Sequence, residues 1–113
     1  MTTFDERENA FEAKLAHDEE LKFKATARRN KLLGLWAAQK MGKSGDAADE
    51  YAAALVTTGL VGVGADLIFK KLRADFDAAR VPASDQEIRR QMDELLAKAT
   101  DDIMASAPKP EAL

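Results

Sequence analysis

The sequence has no cysteine, a single histidine and few aromatic residues, 6% of its 113 residues. The absence of cysteine excludes a disulfide frame and thiol chemistry, so the fold must rest on packing alone. Because His17 is the only histidine, a histidine-activated nucleophile has few candidates, and a metal site would have to rely on carboxylates. The acidic residues are spread along helix faces with basic neighbours, a pattern that disfavours a catalytic carboxylate pair. We therefore expect a protein that is not an enzyme, with no catalytic residues, no metal and no required cofactor.

Long apolar runs are also missing. No stretch approaches the roughly 18 apolar residues that a membrane helix needs. The first residues, MTTFDERENAFE, are acidic and lack the apolar segment of a signal peptide. We expect a cytoplasmic protein without membrane insertion. A net charge of −3 further argues against general nucleic-acid binding, which favours basic domains.

The length predicts one domain with room for an arm or tail outside its core. Charge is unevenly distributed along it. Residues 1–24 hold seven acidic and four basic residues, and the remainder is neutral. Three acidic residues beside His17 would favour its charged form, so a proton switch at this position stays open.

The central prediction is a basic helix over residues 20–41. No acidic residue occurs between Ala25 and Gly45, and an apolar stripe at helical spacing should face a core. Arg28 and Arg29 near Trp36 also suit RNA stacking, but the position of Trp36 on the stripe favours a core role. The stripe consists of Leu21, Ala25, Leu32, Leu35 and Trp36, and the basic residues are Arg28, Arg29, Lys31, Lys40 and Lys43.

Three further segments carry helix signals. A short helix should open at Asp46 and stop before residues 57–64, where β-branched residues and glycines predict a loop. A third helix should carry the stripe Ala65, Ile68, Leu72, Phe76 and Ala79. The fourth should follow a capping box, Ser84 to Glu87, and carry the stripe Ile88, Met92, Leu95, Leu96, Ala99 and Ile103.

The N-terminal segment has helix signals but little apolar surface. Thr3 and Glu6 have capping-box spacing, which predicts a helix from near Phe4. A straight helix from there to residue 41 would be about 57 Å long, whereas a compact domain of this size is about 35 Å across. The segment should therefore project into solvent or bend near His17. Its apolar strip, Phe4, Phe11 and Leu15, is interrupted by Glu8, which favours a loosely held arm.

Gly42, Lys43 and Ser44 look like the end of a phosphate-binding P-loop. Ala37 stands where that motif requires its first glycine, and a helix precedes it instead of a strand, so the P-loop interpretation fails. Free amides at the start of the next helix, with Lys43 close by, leave weak anion or nucleotide binding open. A glycine-rich turn between helices is the simpler interpretation.

Several long segments together resemble one known family. They are FDERE, FEAK, AHDEEL, FKA and ARRNKLLG followed by WAA, and later FKKLRADF and IRRQMDELLA. The sequence is similar to the zeta subunit of bacterial F-type ATP synthases, an inhibitor of the hydrolytic direction. The resemblance implies an all-α, small four-helix bundle with a mobile N-terminal helical arm. In that family the arm inserts at an interface of the catalytic head and blocks the rotor.

The resemblance divides the chain into an inhibitory arm (1–18), a four-helix bundle (19–105) and a disordered tail (106–113). It implies partner-binding residues in the arm, and weak ADP or ATP binding to the bundle. An adenine-nucleotide-binding regulatory module is the alternative function. The apolar, glycine-rich segment TTGLVGVGAD departs from the acidic connection usual in relatives. The expected arm residues are Phe4, Arg7, Glu8, Phe11, Lys14 and Leu15, and the candidate nucleotide residues are Arg28, Arg29, Lys43 and Ser44.

Overall fold

A computed structural model describes residues 19–61 and 64–106 of the chain. Within these residues the chain forms four α-helices and no strand. They are α1 (Glu19–Lys40), α2 (Gly45–Val61), α3 (Ala65–Ala78) and α4 (Asp85–Ser106). The predicted all-α fold is confirmed. None of the described helices is both long and apolar enough to cross a bilayer.

Contacts between the helices define an up-down-up-down bundle. Gly34 of α1 lies against Ala52 of α2, and Gly59 lies against Asn30, so these two helices run antiparallel. Along α1 and α4, the ion pair of Lys40 with Glu87 and that of Arg28 with Asp102 show the same antiparallel arrangement. Tyr51 of α2 bonds to Asp75 of α3, and Arg73 of α3 bonds to Asp85 of α4. The predicted four-helix bundle is thus confirmed.

The bundle therefore has two distinct ends. At the arm end, α1 and α3 begin and α2 and α4 finish, and residues 1–18 precede α1 here. At the turn end lie the connections 41–44 and 79–84. These two names are used below.

The core is formed by the apolar stripes of all four helices. The stripe predicted for α3 is buried at Ile68, Leu72 and Phe76, and that of α4 at Ile88, Met92 and Ala99. Periodicity found these faces because each helix presents one side to the core. The central cluster comprises Leu33, Ala37, Leu55, Ile68, Leu72, Phe76, Ala83, Ile88 and Met92.

The buried face of α1 differs from the predicted stripe. Ala25 is buried as expected, but Leu32 and Leu35 are only half-buried, and Leu33 and Ala37 occupy the core instead. The reason is that α1 packs mainly against both α2 and α4, so its buried surface is wide and centred between them. Trp36 packs at the margin of the core, with its ring edge-on to Phe76 at 5.6 Å between centroids.

The predicted loop over residues 57–64 is wrong for most of its length, because α2 continues to Val61. Packing of α2 against α1 outweighs the low helix propensity of these residues. Asn30 occupies the space that a side chain at Gly59 would need, so the glycine lets α2 approach α1 closely. The hydroxyls of Thr57 and Thr58 donate to carbonyls four residues earlier, which satisfies them inside the helix.

Each connection at the turn end has well-formed helix caps. After α1, the amide of Lys43 donates to the Ala38 carbonyl and that of Gly42 to Gln39, the two bonds of a Schellman motif. Gly42 has a φ of 79°, which that motif requires. The predicted cap of α4 is confirmed, since the Glu87 amide donates to the Ser84 hydroxyl over 3.0 Å. The turn end is consequently well fixed.

Candidate partner-binding and anion-binding sites

The six residues predicted to bind a partner all precede Glu19 and lie outside the described residues. They remain a prediction, as do the boundaries of the arm and of the tail. The first described residue, Glu19, begins α1 at the arm end, where α2 and α4 finish.

Arg28, a candidate nucleotide residue, already has a carboxylate partner. Its Nε donates to Asp102 Oδ2 over 2.9 Å, which joins α1 to α4. This hydrogen bond, aided by the charge of Lys98, holds the pKa of Asp102 below its usual value. The guanidinium is 41% exposed, so solvent screens the pair and it contributes little stability.

Arg29 is in a different environment although it is the next residue. It is only 6% exposed, and its Nε donates to Asn30 Oδ1 over 2.7 Å. Burial lowers the pKa of Arg29 to about 10. No carboxylate among the described residues forms an ion pair with it. A buried cation with a neutral partner is unfavourable for folding. At 6% exposure, Arg29 also offers little surface to a ligand.

Lys43 and Ser44 are exposed in the turn between α1 and α2. They lie at the turn end, whereas Arg28 and Arg29 lie in the half of α1 nearer the arm end. Fifteen residues separate Arg28 from Lys43, about 22 Å along a helix. The structure therefore does not gather the four candidate nucleotide residues into one site, and nucleotide binding by either pair stays a prediction.

A groove that the sequence did not reveal lies between α1 and α2. Its volume is about 580 Å³. Lys31 and Asp49 both line it, so its charge is mixed and does not select an anion. Its other lining residues are Ala52, Ala53, Val56 and Thr57. Sequence periodicity could not find this groove, because it depends on how α1 and α2 are placed against each other.

Tyr51 has a strongly perturbed pKa with a structural explanation. Burial, followed by its hydrogen bond to Asp75, raises the pKa of Tyr51 far above its usual value. The hydroxyl donates to Asp75 Oδ2 over 2.6 Å, and Lys71 Nζ reaches the same oxygen at 2.9 Å. The tyrosine thus stays protonated and joins α2 to α3. Within the described part of the chain, no three His, Cys, Asp or Glu side chains are grouped so as to hold a metal.

The arm end carries exposed apolar side chains that the sequence analysis did not single out. Phe23 is 57% exposed and Leu60 is 55% exposed. Leu67 and Met104 complete the group, and each lies within a few residues of a helix terminus at this end. Phe23 could have been recognised, because it lies away from the stripe of Leu21 and Ala25. This group of side chains is the best candidate for a partner-binding surface in the described residues.

Comparison with known proteins identifies the family. The family model described as "ATPase inhibitor subunit zeta" matches residues 1–102, which span the predicted arm and the bundle up to the last turn of α4. The chain belongs to the ATPase inhibitor subunit zeta family. The resemblance seen in the sequence is thereby confirmed. Membership in this zeta family supports a role as an inhibitor subunit that associates with ATP synthase.

A chain solved by solution NMR supports the same fold. It is 38% identical to this zeta-family chain and superposes with a TM-score of 0.67. The alignment covers 77% of this chain and 99% of the other. No curated protein matches the sequence significantly.

Proposed function

We propose that the protein inhibits ATP hydrolysis by an F-type ATP synthase through its N-terminal arm. In this proposal residues 1–18 insert at a catalytic interface of the enzyme's head and stop rotation in the hydrolysis direction. The bundle carries the arm and performs no chemistry, so the protein needs no cofactor. The partner is the cytoplasmic head of the enzyme, and the protein acts on that side of the membrane.

The observation that carries this proposal is the extent of the family match, which begins at residue 1 and includes the whole arm. A segment that served only as a linker would not need to share the family pattern. The composition of the arm supports the same conclusion. Phe4 and Phe11 are large apolar side chains in an otherwise charged segment, which suits anchors that become buried on a partner.

The bundle itself supports a carrier role. Its apolar stripes are buried against one another, and its perturbed groups, Arg29 and Tyr51, are engaged within the bundle. The wide separation of Arg28 from Lys43 weighs against one nucleotide cradle built from the predicted residues. Weak nucleotide binding to the bundle would be a regulatory addition to the inhibitor and is not required for its action.

The test compares the full chain with a variant that lacks residues 1–18, using purified ATP synthase. We expect the full chain to inhibit ATP hydrolysis more than ATP synthesis, and the truncated chain to lose inhibition while circular dichroism shows that its helices persist. Removing residues 107–113 is the matched control and should leave inhibition unchanged. Full inhibition by the chain without residues 1–18 would refute the proposal.

A point variant refines the test without shortening the chain. Replacing both Phe4 and Phe11 by Ala should weaken inhibition by about 30-fold or more, since one anchor residue typically contributes at least about 2 kcal/mol. Replacing Ala10 and Ala13 by Ser is a control that leaves these anchors in place. Equal loss in both variants would show that the arm does not act through its aromatic anchors.

A further inference from the structure

We propose that the arm end of the bundle is a docking surface for residues 1–18 of the same chain. The arm would then be held against its own body until it engages ATP synthase, so the regulatory consequence rests on the function proposed above. The occupant is the chain's own arm, and a second copy of the chain or the enzyme itself are the alternatives that the experiment separates.

Exposure is the first argument. The large apolar side chains that are exposed in the described residues are Phe23 (57%), Leu60 (55%), Met104 (42%) and Leu67 (37%). One comes from each of the four helices, and each lies within one or two helical turns of a terminus at the arm end. The turn end has no comparable group among its described residues. Together these side chains give the arm end exposed apolar surface that an apolar segment can cover.

Reach is the second argument. The chain continues directly from Glu19 into eighteen further residues, which therefore start at this surface. In the helix that the sequence predicts from Phe4, the distance from Phe4 to Leu15 is about 17 Å. Neighbouring helices of a bundle are about 8–10 Å apart, so the end of a four-helix bundle is about 20 Å wide. The apolar strip of the arm matches this width and needs only a bend near His17 to cover it.

Tethering favours the arm over a second copy. Two segments joined by a short connection meet at an effective concentration in the millimolar range. A second copy would need a comparable protein concentration to compete. The two cases therefore differ in their dependence on concentration.

The experiment uses the full chain in solution without ATP synthase. Because the chain has no cysteine, Ala10→Cys places a single nitroxide spin label in the arm. We expect amide signals of Leu60 and Leu67 to broaden, and those of Lys43 and Asp46 at the turn end to stay sharp. The arm variant Phe4→Ser with Phe11→Ser, in the labelled protein, should lose this broadening while the bundle remains unaltered.

A body variant and its control complete the design. Leu60→Ser with Leu67→Ser removes apolar surface from exposed positions and should also remove the broadening at residues 59–68. Lys43→Ala alters the opposite end and should leave it unchanged. Broadening that persists in both the arm and body variants would show that proximity through the tether alone causes it, and would overturn the proposal. Broadening between spin-labelled unenriched protein and unlabelled ¹⁵N protein at micromolar concentration would also overturn it, in favour of a second copy.

Inhibition assays give an independent readout. Releasing a docked arm raises the fraction of binding-competent protein, so Leu60→Ser with Leu67→Ser should inhibit ATP hydrolysis at an about 2- to 10-fold lower concentration. Weaker inhibition by this variant would mean that the surface binds the enzyme, and would overturn the proposal. If no protein inhibits, the proposed function has failed, and the broadening alone still decides whether the arm docks.

Discussion

The two ends of the bundle use the same kind of helices in opposite ways. At the turn end, Arg73 Nη1 bonds to the Ala83 carbonyl at 2.7 Å and to Asp85 at 2.9 Å, which ties α3 to the start of α4. At the arm end, Gly64 precedes α3 without a side-chain cap, and apolar side chains face solvent. Among the described residues, side-chain hydrogen bonds therefore join the helices at the turn end, whereas the arm end leaves apolar side chains exposed.

The largest contrast should appear in side-chain truncations at opposite ends of α3. Phe76 near the turn end is fully buried against Trp36, so Phe76→Ala should reduce the free energy of unfolding by about 3–5 kcal/mol. Leu67 at the arm end is 37% exposed, so Leu67→Ala should reduce it by only about 1 kcal/mol. Urea unfolding followed by circular dichroism measures both. Similar losses in the two variants would remove the proposed difference between the ends.

Sequence patterns predicted the turn end better than the arm end, for a physical reason. The cap at Ser84 and the buried positions Leu72 and Phe76 depend on neighbours within one or two helical turns, which periodicity detects. The last turns of α2 depend on Gly59 meeting Asn30, a contact 29 positions away along the sequence. Glycine and threonine propensities predicted a loop there, because they contain no information about that contact.

The functional residues follow the same division. Sequence reasoning gave Arg28 and Arg29 the same candidate role, although one forms an exposed ion pair and the other is buried beside Asn30. Adjacent positions on a helix point about 100° apart, so which one enters the core depends on where neighbouring helices lie. The exposed apolar residues of the arm end were missed for the same reason. Only Phe23 had a local signal, its position off the apolar stripe.

A substitution of Arg29 tests whether a buried charge lowers the stability of the bundle in the half near the arm end. Lowering its pKa from 12.5 to about 10 corresponds to about 3 kcal/mol of unfavourable burial of the charged form. Arg29→Met removes this term but leaves Asn30 without its donor, at a cost of about 1–3 kcal/mol. We expect a net stabilisation of about 1 kcal/mol, or about 5 °C in Tm.

The neighbouring arginine provides the matched control for this prediction. Arg28→Met removes an exposed pair with Asp102 and should lower the free energy of unfolding by up to about 1 kcal/mol.

The pH dependence of the Arg29 contribution to stability has a defined sign. Because the folded-state pKa of Arg29 is lowered, its penalty is full below pH about 10 and is relieved as the pH rises through that value. A lower Tm for Arg29→Met would show that the buried charge has a stabilising partner.

A smaller effect should distinguish two serines that precede helices at the turn end. The Ser84 hydroxyl accepts a hydrogen bond from the Glu87 amide, so Ser84→Ala should reduce the free energy of unfolding by about 1 kcal/mol. Ser44 precedes α2 and is exposed, and no amide among the described residues donates to its hydroxyl. Ser44→Ala should therefore change stability by less than about 0.5 kcal/mol. Equal losses would indicate that Ser44 also caps its helix in solution.

The smallest gain in stability should come from a substitution of Arg80, the second residue after α3, which has a φ of 58°. The amides of Arg80 and Val81 donate to the backbone carbonyls of Asp77 and Phe76, respectively. This is the same pattern as at Gly42. A side chain in this conformation costs about 1 kcal/mol, so Arg80→Gly should stabilise the fold by about 0.5 kcal/mol after the extra freedom of glycine in the unfolded chain is counted.

Gly42 supplies the reciprocal test at the equivalent position of α1. A Cβ at Gly42 would meet nothing within 4 Å, so Gly42→Ala isolates the conformational cost and should destabilise by about 1 kcal/mol. If the two substitutions change the free energy of unfolding with opposite signs, measured from urea midpoints at equal slope, backbone conformation alone determines stability at both turn positions. If Arg80→Gly instead destabilises, the exposed arginine side chain contributes a contact worth more than its backbone strain, and the turn end is tied together more extensively than its hydrogen bonds indicate.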